Sequence, residues 1–182
     1  CQKPMENTPF IWLGAKRAEK RGVGNKGTLL DNATQYKLPV PNGGLLLDEF
    51  YHLALEAGLL RLKQGQTVIA DDPEALAEAL YDDLRFPRLA TPVAIRSAFS
   101  AEDRQDESLA GFFTSRLNVN AQNPHELADA LTAVYTSALR RDGTFRRDIL
   151  IMEMVDARQA GVAFSEAGFE DELINYADGT AD

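Results

Sequence analysis

The stretch that decides the fold is 92-PVAIRSAFSAEDRQDESLAGFFTSRLNV-119, where a short apolar run ends in one arginine and a long polar loop. Val93 and Ile95 predict a β-strand, and Pro92 is compatible only with the start of that strand or with a sheet edge. Because side chains alternate along a strand, Arg96 is expected on the face opposite Ile95. Loops mounted on rigid strands concentrate ligand contacts, so this strand end is a candidate binding site.

Arg96 is the candidate cation of this site. A guanidinium group stays charged near neutral pH and can bind two phosphate oxygens at once. The alternative is a structural ion pair between Arg96 and Glu102 or Asp103. The spacing of these residues does not choose between the two interpretations.

A second candidate segment lies upstream, at Gly24-Asn25-Lys26-Gly27. Small residues let a backbone approach a ligand, and residues 28–37 carry apolar side chains at helical spacing. A helix beginning there would direct free N–H groups and its positive end towards a phosphate. An ordinary helix-entry turn is the alternative.

The same glycines also form a G-x-G-x-x-G pattern over residues 22–27. A dinucleotide-binding fingerprint follows a strand, and residues 15–21 do not have the pattern of one. A Walker loop is excluded as well, because Lys26 is followed by Gly27 instead of Ser or Thr.

Three motifs, in their order along the chain, resemble the nucleotide-binding domain of the phosphoenolpyruvate synthase and pyruvate phosphate dikinase family. Residues 96–111 resemble the family's R-S-S-x-x-x-E-D-x-x-x-x-S-x-A-G. Residues 24–27, followed by Leu38-Pro39-Val40-Pro41, resemble G-G-K-G and then L-P-V-P. Residues 151–155 and 160–164 resemble V-Q-x-M-V and then S-G-V-x-F. The resemblance covers roughly residues 9–176 and implies a mixed α/β fold, the N-terminal part of an ATP-grasp-type nucleotide-binding domain.

The resemblance also implies roles for individual residues. In the family the lysine of G-G-K-G and the arginine of R-S-S hold the ATP phosphates, which assigns catalytic and phosphate-binding roles to Lys26 and Arg96. The family's adenine lies against the V-Q-x-M-V strand, largely through backbone groups. The further nucleotide-binding residues that the resemblance implies are Ser97, Ser108, Gly111, Glu153, Met154 and Val155.

Several positions depart from the family's pattern. Asn25 stands for a glycine, Ala98 for the second serine and Met152 for the glutamine. The family's E-x-x-x-G-L-G-E stretch has at best a partial counterpart in residues 173–179. The sequence therefore resembles a divergent member or a side branch.

The function implied by the resemblance is that of the ATP-binding portion of a dikinase-type phosphotransferase. Phosphoryl would pass from ATP to a carrier histidine on another domain and then to pyruvate, so residues 1–182 alone are expected to be inactive. The expected cofactors are ATP and Mg²⁺, with Mg²⁺ ligands outside this chain. The expected partners are the phosphohistidine and pyruvate-binding domains of the same longer protein. Two alternatives stay open: a non-catalytic nucleotide-binding or regulatory module of the same fold, and a family member that phosphorylates another acceptor, such as an antibiotic or a glucan.

Composition sets wider bounds. The formal charge of −9, from 19 basic and 28 acidic residues, argues against a nucleic-acid partner. No apolar run approaches the ~20 residues that span a bilayer and no secretory signal is recognisable, so we expect no membrane association and a cytoplasmic location. A single cysteine, Cys1, excludes an internal disulfide. We expect residues 1–4 to be left over from recombinant expression, and residues 5–182 to be the first portion of the ATP-binding domain.

The remaining segments predict a scaffold of strands and helices. Asp72-Pro73 and Asn123-Pro124 each place a capping side chain before a proline, which predicts a helix start, and Glu126 predicts a capping box. Leu76, Leu80 and Leu84 are expected to form the buried stripe of the first of these helices. The other predicted elements are strands at 10–13, 45–47, 149–155 and 161–164, a helix over 48–60, and a turn at 156–159 between the last two strands.

Overall fold

The structure, a computed structural model, describes residues 8–103, 113–141, 143–164 and 173–179. Within them the strands are β1 (Phe10–Trp12), β2 (Gly43–Leu46), β3 (Arg61–Lys63), β4 (Thr67–Ile69), β5 (Val93–Ser97), β6 (Ser115–Val119), β7 (Ile149–Glu153), β8 (Gln159–Phe164) and β9 (Leu173–Asp178). The α-helices are α1 (Asn25–Ala33), α2 (Asp48–Glu56), α3 (Pro73–Glu78) and α4 (Pro124–Ala138).

A central five-stranded sheet organises the described part of the chain. Its strand order is β1-β2-β7-β5-β6, and every neighbouring pair is antiparallel. Two hairpins, β3–β4 and β8–β9, form separate two-stranded sheets. Helices and strands are thus mixed along the chain, and the predicted mixed class is confirmed.

The central sheet is covered on both faces. On one face, Val93, Ile95 and Ile151 belong to a large apolar cluster with residues of α2, α3 and α4. On the other face, Leu45 and Leu150 belong to a smaller cluster, against which Leu30 of α1 and Met152 pack. We call this second side the α1 face, and both candidate cations lie on it.

Local signals placed several elements correctly. Strand β5 begins at Val93, directly after Pro92. The Asp72 carboxylate accepts a hydrogen bond from the Ala75 N–H at 3.0 Å, and Asn123 caps α4 through two backbone N–H groups. The predicted capping box is wrong in detail, because the Glu126 carboxylate accepts from the Asn120 N–H at 2.8 Å and not from the cap residue.

Other expectations need correction. The helix predicted over 28–37 begins earlier, at Asn25, and its α-helical part ends at Ala33. Helix α2 ends at Glu56 rather than near residue 60. The consecutive strands predicted at 149–155 and 161–164 are confirmed with shifted bounds, as β7 in the central sheet and β8, which pairs with β9. Strands β3, β4, β6 and β9 were not predicted.

Candidate functional site

Lys26 lies beside the end of β5. Its Nζ donates a hydrogen bond to the Ser97 carbonyl oxygen at 3.0 Å, across 71 residues of sequence. Ser97 directly follows Arg96, so the two positions that the sequence predicts for phosphate binding meet at one end of one strand. The contact also fixes the first turn of α1 against that strand end.

Arg96 lies on the α1 face, as its alternation with Ile95 predicts. It is paired with Leu150 on β7 and with Ser115 on β6, and Leu150 belongs to the α1-face cluster. The Arg96 side chain is exposed. Among the described residues its guanidinium has no hydrogen-bond or ion-pair partner. The alternative pairing with Glu102 or Asp103 involves side chains outside this description.

Gly27 brings α1 close to the sheet. A Cβ at this position would lie 2.6 Å from Val23 Cγ1 and 3.1 Å from both Leu45 methyl groups. The space beside Gly27 is therefore filled by the protein's own side chains, and its missing side chain serves helix packing. This corrects the expectation that Gly27 makes room for a ligand.

Asp31 anchors the other end of α1. Its side chain is buried, and its carboxylate accepts four backbone hydrogen bonds of 2.7–3.2 Å from the loop before the helix, donated by Gly14, Lys16, Arg17 and Ala18. This role of Asp31 was not predicted from the sequence. The available signal was an acidic residue one helical turn after Gly27, on the side of the helix that faces the sheet.

A buried ionic network around Asp148 holds the residues that follow β5. The Asp148 carboxylate, which is fully buried, bonds Arg146 at 3.0 and 3.2 Å and the Asp48 N–H at 2.9 Å. Its backbone carbonyl accepts from the Ala98 N–H at 2.9 Å, which holds the residues just beyond Arg96. Burial raises the pKa of Asp148, against the lowering effect of Arg146.

Glu49 extends this network towards the α1 side. It bonds Arg146 at 2.8 Å and Arg21 at 3.3 Å. Partial burial works to raise the pKa of Glu49, but the hydrogen bonds from Arg146 and Arg21 outweigh it and hold the pKa below its usual value. The network is fully engaged within the protein, and we assign it a structural role.

The end of β7 holds the three residues predicted to contact adenine. The Glu153 carboxylate accepts from the Ala90 N–H at 2.9 Å and from Asn42 Nδ2 at 3.0 Å. The backbone N–H groups of Glu153 and Met154 donate to the carbonyls of Asn42 and Pro92. Val155 differs, because its N–H has no acceptor among the described residues. Within the described part of the chain, Val155 is thus the first backbone donor after the strand that has no acceptor.

A cavity of about 350 Å³ opens beside this free donor. Its volume lies at the lower end of the range typical of small-molecule sites, about 300–1,000 Å³. It is lined by Pro92, Leu117, Asn118, Met154, Val155, Asp156 and Ala157. Met154 and Val155 were predicted as site residues, whereas Leu117, Asn118 and Asp156 were not. The first two belong to β6, which the sequence pattern did not reveal.

The cavity and the two cations lie along the same face of β5. Pro92, Ala94 and Arg96 alternate with the core-facing residues of the strand, and Ala94 is paired with Met152 of the α1-face cluster. Four residues of extended chain span about 13 Å, which is comparable to the length of an extended nucleoside triphosphate. Ala94, between the two ends, is small and buried, so a ligand that reaches both ends has to pass over the side chains that cover it.

The other predicted nucleotide-binding residues are placed less favourably. Ser97 is paired with Ile149 of the opposite cluster, so its side chain lies on the face away from Arg96, and only its carbonyl meets Lys26. A hydroxyl contact from Ser97 to the nucleotide stays a prediction. Ser108 and Gly111 lie outside the described residues.

Two larger cavities, each of about 520 Å³, lie elsewhere. One lies on the α4 side of β6 and includes acidic Glu126 and Asp129 in its lining. The other is formed by the basic loop of residues 15–17 with Lys20 and Arg21. Neither includes a residue predicted for the nucleotide. The part of the chain that is described holds no cluster of three metal-binding side chains, and none of its helices is long and apolar enough to cross a membrane.

Comparison with curated proteins finds no match. A family model described as "Pyruvate phosphate dikinase, AMP/ATP-binding domain" matches residues 67–177, which is more than half of the chain. The matched region contains Arg96 and all residues of the 350 Å³ cavity, while Lys26 precedes it. The resemblance seen in the sequence motifs is therefore confirmed, and with it nucleotide binding as the property of the domain. The chain belongs to the family of pyruvate phosphate dikinase AMP/ATP-binding domains.

Proposed function

We propose that this chain is the ATP-binding portion of a phosphotransferase that resembles phosphoenolpyruvate synthase and pyruvate phosphate dikinase. The observation that carries the proposal is the 3.0 Å contact between Lys26 Nζ and the Ser97 carbonyl, which brings Lys26 to the position next to Arg96. ATP phosphates would lie at this end of β5. The base would lie at the other end, in the cavity beside Val155.

Positioning and charge neutralisation are the contributions that phosphoryl transfer requires of a protein. Lys26 and Arg96 would neutralise phosphate oxygens, and the free N–H of Val155 would donate to the adenine ring. The Ser97 carbonyl already orients Lys26 Nζ, so the ammonium group does not have to be ordered when the ligand binds. Phosphoryl would then pass to a carrier histidine on another domain of a longer protein, and from there to pyruvate.

Mg²⁺ belongs to this proposal as the counter-ion of ATP. The described residues contain no group of His, Cys, Asp or Glu side chains able to hold it, so we derive no step through the metal. Its ligands are proposed to lie outside this chain. Residues 5–182 would accordingly be the first portion of an ATP-grasp-type domain.

A second candidate function is a nucleotide-binding or regulatory module without catalysis. Met152, in place of the family's glutamine, favours it because its side chain packs partly buried against the α1-face cluster instead of presenting an amide. Asn25 and Ala98 are further departures from the family's motifs. A family member with a different phosphoryl acceptor is a third candidate, since the acceptor would bind to another domain.

ATP affinity tests the binding proposal. We expect Lys26→Met and Arg96→Met each to weaken ATP binding at least ~10-fold, because each removes a charge-assisted contact to phosphate. The measurement is isothermal titration calorimetry on the purified chain. Matched controls are Lys63→Met and Arg140→Met, which remove exposed charges away from β5, and these should leave the affinity within about 2-fold. Equal effects of the site and control variants would contradict the proposal.

Turnover separates the catalytic proposal from the non-catalytic one. In the protein expressed from its own gene, we expect Arg96→Ala to lower pyruvate-dependent ATP consumption at least ~10-fold, the scale of losing one charge-stabilising donor. Unchanged turnover would remove Arg96 from the mechanism. ATP binding without any phosphoryl transfer by the wild-type protein would favour the non-catalytic module.

A further inference from the structure

We propose that Asn118 and Asp156 select the nucleotide, with Asn118 bonding the adenine edge and Asp156 the ribose hydroxyls. This inference rests on the proposed ATP-binding function and adds to it the residues that distinguish one nucleotide from another. Neither residue belongs to the motifs shared with the family. Both line the cavity at the end of β7.

A β-bulge brings Asn118 to this cavity. Val93 pairs with Val119 and Ile95 pairs with Arg116, so Leu117 and Asn118 together stand opposite the single residue Ala94. Asn118 has a φ of 56°, in the left-handed region that asparagine tolerates better than most residues. Bulges redirect side chains and are common beside functional sites. Here the bulge adds a polar residue to the lining of a cavity on the edge of the sheet.

The cavity lining has the composition of a site for a small organic ligand. Such sites are mostly apolar, with a few polar groups that fix the orientation of the ligand. Leu117, Met154 and Val155 provide apolar surface, while Asn118 and Asp156 provide the polar side chains. Among the described residues, neither of these two side chains has a hydrogen-bond or ion-pair partner. Within that part of the chain, no other group competes with a ligand for these two side chains.

The position of the cations decides which side of β6 the base occupies. Asn118 also borders the 520 Å³ cavity on the α4 side, but Glu126 and Asp129 make that lining acidic. Lys26 and Arg96 lie on the opposite face of the sheet, where the cavity beside Val155 opens. A single nucleotide can thus reach both cations and Asn118 only from the α1 face.

The chemistry of the two side chains suits adenosine. An asparagine amide can accept from the 6-amino group of adenine and donate to N7 at the same time. Hypoxanthine carries a carbonyl at position 6, so the amide oxygen would face another acceptor. A carboxylate accepts hydrogen bonds from ribose hydroxyls, as acidic residues do in dinucleotide sites.

The test compares the affinities of ATP, ITP and 2′-deoxy-ATP by calorimetry on the wild-type chain and its variants. We expect the wild-type chain to prefer ATP over ITP by at least ~5-fold, the scale of one bidentate base contact. Asn118→Gly, which keeps the left-handed backbone accessible, should bring that ratio close to one and leave the ATP to 2′-deoxy-ATP ratio unchanged. Asp156→Ala should bring the ATP to 2′-deoxy-ATP ratio close to one and leave the ATP to ITP ratio unchanged. Asn118→Asp keeps the acceptor that distinguishes the 6-amino group from the 6-carbonyl but replaces the donor to N7 by a second acceptor, so it should weaken the binding of both nucleotides and keep the preference for ATP.

Asp129→Ala is the matched control, because it changes the cavity on the other side of β6. A change in the nucleotide ratios in Asp129→Ala, and none in the Asn118 variants, would place the base on the α4 side and overturn the inference. Unchanged ratios in all folded variants, with ATP binding still weakened by Lys26→Met, would overturn this inference and leave the proposed function standing. A wild-type chain that binds no ATP would overturn both. Thermal melts by circular dichroism establish that each variant is folded.

Discussion

At the scale of single residues, buried polar groups decide how the site is held. The Asp31 carboxylate accepts four backbone hydrogen bonds, and so one side chain fixes the loop of residues 14–18 against α1. Lys26 on the same helix has its Nζ fixed by the Ser97 carbonyl. The geometry of the candidate phosphate site therefore depends on a residue that would not itself contact the nucleotide.

Asp31→Ala should be strongly destabilising. It leaves four N–H groups without their acceptor, so we expect the free energy of unfolding to fall by about 3 kcal/mol or more. Urea denaturation followed by circular dichroism measures the change. Asp82→Ala is the control, since it removes only an exposed pair with Arg88 and should cost less than about 1 kcal/mol. A loss in Asp31→Ala no larger than in the control would show that the loop does not depend on this carboxylate.

The placement of Arg96 was predictable from the sequence, whereas the placement of Asn118 beside the 350 Å³ cavity was not, and the difference is physical. The face on which Arg96 lies follows from strand alternation, which depends only on neighbouring residues. The role of Asn118 depends on a register shift between β5 and β6, which is set by pairing between distant segments. Likewise, the spacing from Gly27 indicates only that Asp31 faces the sheet, and no local pattern indicates that its carboxylate accepts hydrogen bonds from the loop before the helix.

At the scale of elements, the candidate site is formed by α1, β5 and the end of β7. Helix starts were predictable at Asp72 and Asn123, because caps and proline act within one turn. The order of strands in the sheet could not be predicted from the sequence, because β5 pairs with both β6 and β7, which lie on either side of α4 in the chain. The close approach of α1 to β2 also required the structure, because the glycine that allows it could equally have served a ligand.

Gly27→Ala tests whether the packing of α1 positions Lys26. The added methyl would meet Val23 and Leu45 at 2.6 and 3.1 Å, so we expect a loss of about 1–3 kcal/mol in unfolding free energy. Because the helix would move away from the sheet, ATP affinity measured by calorimetry should fall as well. Gly65→Ala serves as the control: its φ of 68° disfavours alanine, but nothing lies within 4 Å. It should lower stability by about 1 kcal/mol and leave ATP affinity unchanged.

At the scale of the whole molecule, one face of the central sheet carries most of the apolar core and the other carries the candidate nucleotide site. One face carries the large apolar cluster with α2, α3 and α4, which holds most of the buried side chains. The other carries a smaller cluster, α1 and the candidate nucleotide path. This division leaves Arg96 exposed on a strand whose remaining residues are buried. The family assignment was accessible from motif order alone, whereas the cavity beside Val155 required the assembled sheet.

The most direct test of ATP binding along β5 is a crystal structure of the chain with a non-hydrolysable ATP analogue. We expect phosphate oxygens within hydrogen-bond distance, about 2.7–3.2 Å, of Lys26 Nζ and the Arg96 guanidinium. The adenine should lie in the cavity beside Val155, with its edge towards Asn118. A nucleotide bound in the basic cavity of Lys16, Arg17 and Lys20, with Lys26 and Arg96 uncontacted, would contradict the proposed site.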